Sequence, residues 1–112
     1  MIKLIALYRT PEDPEAFDEH YRSVHTPLAE QMPGLRNMEI TRMKPLSPHT
    51  KSSYYLMAEM TFDDEEALQI ALQSDAGKAS AKDLQGFAQG LVELYIGTSE
   101  SQKMENGAER KS

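Results

Sequence analysis

Hydrophobic and polar positions along the chain follow two periods, and the places where one gives way to the other divide it into strands and helices. Ile2 to Arg9 is a short apolar run closed by Thr10-Pro11; Leu4, Ile5, Ala6 and Leu7 leave no polar side, which predicts a strand buried on both faces and central in its sheet. Leu35 to Lys44 alternates, with Met38 and Ile40 on one side and Asn37, Glu39 and Thr41 on the other, as in an antiparallel strand nearer an edge. Tyr54 to Phe62 alternates more strongly. Tyr54, Leu56, Ala58, Met60 and Phe62 form its apolar face, with Tyr55, Met57, Glu59 and Thr61 opposite. Glu59, a lone carboxylate in a central strand, requires a cation or donor nearby. After Gly90, Val92, Leu94 and Ile96 alternate with Glu93 and Tyr95 in a last strand.

The intervening segments have the helical period. Phe17, Tyr21, Val24 and Leu28 succeed one another at spacings of four, three and four, one stripe of a helix. Asp13 can cap this helix, Pro14 takes its first position, and Pro33-Gly34 stops it after Met32. Pro27 has no N–H for the carbonyl of Ser23, so a bend is predicted near His25-Thr26. A second helix opens at Asp63-Asp64-Glu65-Glu66, acids that complement the helix dipole, and buries Leu68, Ala71 and Leu72. A shorter one over Ser74 to Ala88 presents Ala76, Ala79, Leu84, Phe87 and Ala88. Pro45 to Ser53 reads as a loop with His49 exposed, and the polar tail from Thr98 as disordered.

Strand, helix, strand, strand, helix, strand is the α+β, ferredoxin-like βαββαβ order, with a four-stranded antiparallel sheet occupying residues 1–97 and the tail residues 98–112. Both helices then cover one face. The other would carry Ile5, Leu7, Met43, Tyr55 and Met57 with Glu39 and Glu59, too apolar to face water, and a second copy would cover it in a homodimeric α/β barrel.

Composition narrows the chemistry. With 12 Lys and Arg against 18 Asp and Glu, a net charge of −6, and no basic stripe, a nucleic-acid partner is not expected. The absence of Cys excludes disulfides and thiolate chemistry. No apolar run approaches a membrane span, and the first residues lack a signal peptide's pattern; the expectation is a cytoplasmic protein with no membrane partner.

His25 borders the apolar stripe beside the predicted bend. From position alone such a residue is usually a packed, hydrogen-bonded one. The segment HYRSVHTPLAEQMPGL, a first strand ending in tyrosine, and the later S-D-A-G-K and DLQGFAQG together resemble the EthD-like family, named for proteins encoded beside ethyl tert-butyl ether degradation genes. The resemblance spans Met1 to Gly97, with His20, Tyr21, His25 and Pro27 matching the motif. It implies the dimeric α/β-barrel superfamily and ether or xenobiotic breakdown beside a cytochrome P450 oxygenase system. Related barrels include cofactor-free monooxygenases, muconolactone-type isomerases and haem-handling proteins, and fungal members resemble dehydratases, so the fold alone selects no reaction.

Two functions follow as expectations. One is a cofactor-free enzyme transferring a proton on a small apolar or aromatic organic ligand, with His25 as general acid or base. Tyr8 or Tyr55 would donate to a developing oxyanion and Glu59 would orient the imidazole or take part in the proton transfer, with Tyr21 and Phe87 completing the candidate substrate-binding set. The other is a non-catalytic accessory or ligand-carrying dimer, which seven adaptable Met side chains would suit. The resemblance also disfavours haem, because the haem-handling relatives carry their proximal His in a region corresponding to the second helix, where this sequence has none. No metal is expected either. His20 and His25 are five apart, off one face of an α-helix, and His20 is expected to face solvent.

Overall fold

In the computed structural model, which describes residues 1–50 and 53–103, the first half of the chain runs β1 (Ile2–Arg9), α1 (Pro14–His20), a π-helical turn (Tyr21–His25), α2 (Thr26–Glu30) and β2 (Asn37–Arg42). β3 (Tyr54–Phe62), α3 (Glu65–Gln73), α4 (Asp75–Phe87) and β4 (Val92–Thr98) follow. The sheet order is β2-β3-β1-β4 with every neighbouring pair antiparallel, the expected ferredoxin-like arrangement. The two most apolar strands hold its centre, where both neighbours complete their hydrogen bonding. Thr98, first residue of the expected tail, still pairs with Ile2; residues 104–112 lie outside the described residues. No described helix is long and apolar enough to cross a membrane.

Helix ends form where short polar side chains can satisfy free N–H groups. Asp13 Oδ1 accepts from the Ala16 N–H at 3.2 Å, Asp64 Oδ1 from Ala67 at 2.8 Å, and Ser74 Oγ from Gly77 at 3.0 Å. The acidic run has a structural use: Asp64 caps α3, and Asp63 grips Arg36 through two bonds of 3.0 and 2.9 Å. α4, with 13 residues against nine in α3, is the longer helix of the pair, not the shorter one expected. Gly34 at φ +79° and Gly90 at φ +80° make the turns into β2 and β4.

The core lies between the sheet and the helices. Ala6, Tyr8, Leu56 and Ala58 pack on Phe17, Tyr21 and Ala88, while Met60 and Phe62 pack on Ala29, Met32, Leu68 and Ala71. On the opposite face Lys3 Nζ reaches Glu59 Oε2 at 3.4 Å, which supplies the cation that Glu59 required. A β-bulge changes one expectation. The β1–β3 register shifts between Tyr8 and Arg9, which pair with Leu56 and Tyr54, so Tyr55 is the extra residue. It turns to the helix side, against Phe17 with ring centroids 5.8 Å apart, instead of the open face, and its hydroxyl donates to Asp18 Oδ2 at 2.8 Å. Tyr54 correspondingly donates to Glu93 Oε1 at 3.1 Å, where Arg9 also binds Glu93.

The first helical rod departs from the predicted stripe. Val24 is 40% exposed, while His25 is buried in its place. The buried positions are Phe17, Tyr21, His25 and Ala29, each four after the last, because the π turn adds one residue to a turn and rotates all that follows.

Candidate functional site

The π turn decides which side chains meet. In an α-helix two residues five apart diverge by about 140° around the axis. Here the Thr26 N–H bonds the Tyr21 carbonyl, an i→i+5 bond, and the widened turn brings His20 and His25 to the same side. Pro27 then falls in the first turn of α2, where its missing N–H leaves nothing unpaired. The bend expected from Pro27 is therefore an extra residue in the helix, and its effect is to align two imidazoles.

Both rings meet Asp83 of α4. His25 Nδ1 lies 3.0 Å from Asp83 Oδ2 and His20 Nε2 lies 2.8 Å from Oδ1, so one carboxylate bridges two histidines. Exposure grades across the cluster, from 35% for the His20 side chain through 16% for Asp83 to 6% for His25. Phe87 stacks on His20 at 4.6 Å and lies 5.1 Å from His25, while Tyr21 lies 5.7 Å from both His25 and Tyr8. His20 is thus engaged with α4, contrary to the expectation that it faces solvent.

Behind His25 is a cavity of about 60 Å³ between helices and sheet, lined among others by Leu4, Tyr8, Met60, Leu84 and Leu94. That is room for about two waters. A groove of about 650 Å³ runs outside it between α4 and β4, and the two share Ala81, Leu84 and Leu94. Leu94 is 53% exposed, since the helices leave the β4 edge uncovered.

Asp83 accepting from Nδ1–H would leave His25 Nε2 as the ring's free lone pair, and among the described residues Nε2 has no hydrogen-bond partner. Burial holds His25 below its ordinary value of 6.5; Asp83 pulls the other way and His20 adds to the depression. Burial also pushes the Tyr21 phenol up to about 12 and Tyr8 well above its ordinary range, with Tyr21 and Asp83 adding to the latter. Both tyrosines remain neutral donors near neutral pH. The Tyr21 hydroxyl is buried with no well-formed hydrogen bond among the described residues, and the neighbouring Thr26 side chain offsets part of the upward push on it.

A lowered His25 pKa has a consequence for stability. Below about pH 6.5 the unfolded chain binds a proton on this residue more readily than the folded one, so stability should fall as pH drops from that value toward the folded pKa and level off below it. Thermal unfolding between pH 8 and 5 should show a shallower acid loss in His25→Gln than in the unaltered protein; equal slopes would show that His25 is not the group responsible.

Of the residues expected from sequence, Tyr8, Tyr21, His25 and Phe87 are brought together. Tyr55 is drawn off to Asp18 and Arg42, whose guanidinium lies 5.3 Å over its ring. Glu59 is on the far face of the sheet, so the carboxylate that meets His25 is Asp83 instead. Asp83 was readable: on α4 it lies four before Phe87, inside the stripe through Ala76, Ser80 and Phe87, where a charged residue needs a partner. Among the described residues no group of three His, Asp or Glu side chains is arranged to hold a metal ion.

This geometry sits within a family of known outline. The EthD domain model matches residues 9–90. The uncharacterized 11.0 kDa protein of the thcB–thcC intergenic region of Rhodococcus erythropolis is 33% identical over 96 residues, 86% of this chain and 92% of that one. The crystal structure of an ethyl tert-butyl ether degradation (EthD) family protein from Bacillus halodurans superposes with a TM-score of 0.84 at 53% identity, covering 89% of this chain and 99% of that one. A dimeric ferredoxin-like protein of unknown function from Thermobifida fusca shares the fold, with a TM-score of 0.65 at 15% identity over 88% of this chain and 90% of that one. The match over residues 9–90 includes the π turn, both histidines and Asp83, and by it and by these relatives the chain belongs to the EthD domain family.

Proposed function

We propose that this protein is an enzyme acting on a small apolar or aromatic organic compound by proton transfer, with His25 as the general base and its conjugate acid returning the proton. The observation that carries the reading is the 3.0 Å contact between Asp83 and Nδ1 of a buried His25, which leaves Nε2 free of Asp83 on a ring that lines an apolar cavity. A carboxylate on Nδ1 selects the tautomer that leaves Nε2 free to take a proton. Tyr8, which lines the same cavity as His25, is the donor for negative charge developing on the ligand. The cavity is too small for an organic ligand until Leu84 and Leu94 part, and the α4–β4 groove is the approach.

The test is hydrogen–deuterium exchange at the acidic C–H positions of small aryl ketones in D2O, followed by NMR. The protein should accelerate exchange and His25→Gln should remove about 10²-fold or more of that acceleration. Equal exchange by both proteins would overturn the proton-transfer reading; ketone binding without exchange in either would favour a carrier.

We further infer that a second copy covers the open sheet face, where Ile5, Leu7 and Met57 surround the Lys3–Glu59 pair. The dimeric Thermobifida fusca protein gives a precedent in this fold. Sedimentation should show a dimer that Leu7→Asp converts to a folded monomer, because the substitution places a charge against the partner's apolar face. A monomeric unaltered protein would exclude the arrangement.

A further inference from the structure

His20 does not line the cavity, yet it holds the second oxygen of the carboxylate that holds His25. We propose that His20 is a positioning residue that takes the one positive charge the Asp83 carboxylate can balance and so keeps His25 neutral beside the cavity. The assignment rests on the bridging geometry, and only its catalytic meaning rests on the proton-transfer reading.

A single carboxylate compensates one imidazolium well. A second, on the other oxygen, would face the first across Asp83 in a partly buried cluster, and like charges so placed disfavour double protonation. Which ring takes the proton depends on its surroundings. The His20 side chain is 35% exposed and keeps part of its hydration, while His25, at 6%, would lose nearly all of it. Glu12 and Asp13 line the depression beside His20, and its face-on stack with Phe87 adds a favourable cation–π contribution. Lys82, which lines a second depression with His20 and Asp83, opposes this, and Glu19 on His20's own helix is occupied by Arg22 and Ser23. The titratable groups beside His25, apart from Asp83 and His20, are the phenols of Tyr8 and Tyr21, both neutral in the working pH range. The surroundings therefore favour His20 as the ring that carries the charge.

The experiment follows the ring nitrogens of His25 by ¹⁵N NMR through a pH titration of the full chain. His20→Gln keeps an N–H donor for Asp83 but removes the charge, and should raise the His25 midpoint by about one unit. His20→Lys supplies a permanent charge and should leave the midpoint at or below that of the unaltered protein. An unchanged midpoint in His20→Gln, or an equal rise in both variants, overturns the proposal, the second outcome because it would assign the effect to the imidazole's packing. Neither readout requires turnover, so a failed exchange assay and a failed titration are separate results.

Discussion

Asp83→Ala should lower stability by about 2 kcal/mol and release both histidines at once. Truncation leaves the Nδ1–H of a buried His25 without its acceptor, and an unsatisfied buried donor costs about 1–3 kcal/mol. The exposed side of His20 can turn to water, so most of the loss falls at His25. Asp83→Asn separates hydrogen bonding from charge. Its single oxygen can accept from one ring, while its amide must donate to the other, which forces that ring into its alternative tautomer. Urea unfolding reads the stability, and the ¹⁵N shifts of the rings read the tautomers. In the exchange assay either variant should lose about 10²-fold of the acceleration, since the carboxylate that fixes the His25 tautomer and ring orientation is gone. An Asp83→Ala protein as stable as the original, with His25 ring shifts unchanged, would refute the bridging carboxylate.

Gly77→Ala should have the larger effect on folding. Gly77 lies in the first turn of α4, just past the sharp corner from α3, and a Cβ there would sit 2.1 Å from the Ala71 carbonyl oxygen and 2.8 Å from that of Leu72. Both are backbone atoms that cannot swing aside. Ser74 draws the corner tight: its Oγ donates to the same Ala71 oxygen at 2.6 Å and accepts from the Gly77 N–H at 3.0 Å. Adding one carbon must separate α3 from α4 or unwind the first turn of α4, and a loss of about 4 kcal/mol or more is expected. The site would move with it, since Asp83 is carried on α4. Gly86→Ala is the control on the same helix. Nothing lies within 4 Å of its Cβ position, so alanine should stabilise by about 0.5–1 kcal/mol through helix propensity and reduced freedom of the unfolded chain. Urea midpoints of the two variants should move in opposite directions; a Gly77→Ala midpoint near the original would contradict the close approach at the corner.

The strands were legible because their signal is local. Ile2 to Arg9 and Tyr54 to Phe62 carry so much apolar and β-branched or aromatic character that only central strands can bury them, and Asp13 as a cap and the acidic run at Asp63 mark helix starts within one turn. Pro27 announced a disturbance and His25 its place. The kind of disturbance was not announced, because a missing N–H is met equally by a kink, a break or one extra residue in the turn. The predicted stripe at Val24 and the separation of His20 from His25 both followed from assuming an unbroken 3.6-residue period. Tyr55 was assigned to the open face for a related reason: strict alternation fails at a bulge.

By itself the sequence determined the fold class, the order and centre of the sheet and the family, since each depends on residue type at short, fixed spacing. The meeting of His20, His25 and Asp83 was decided only by the tertiary structure. Asp83 is 63 residues from His20 and 58 from His25, and at such separations contact depends on the exact rotation of one helix against another. A single π turn sets that rotation, and it is stabilised by packing against α4 as well as by the residues within it.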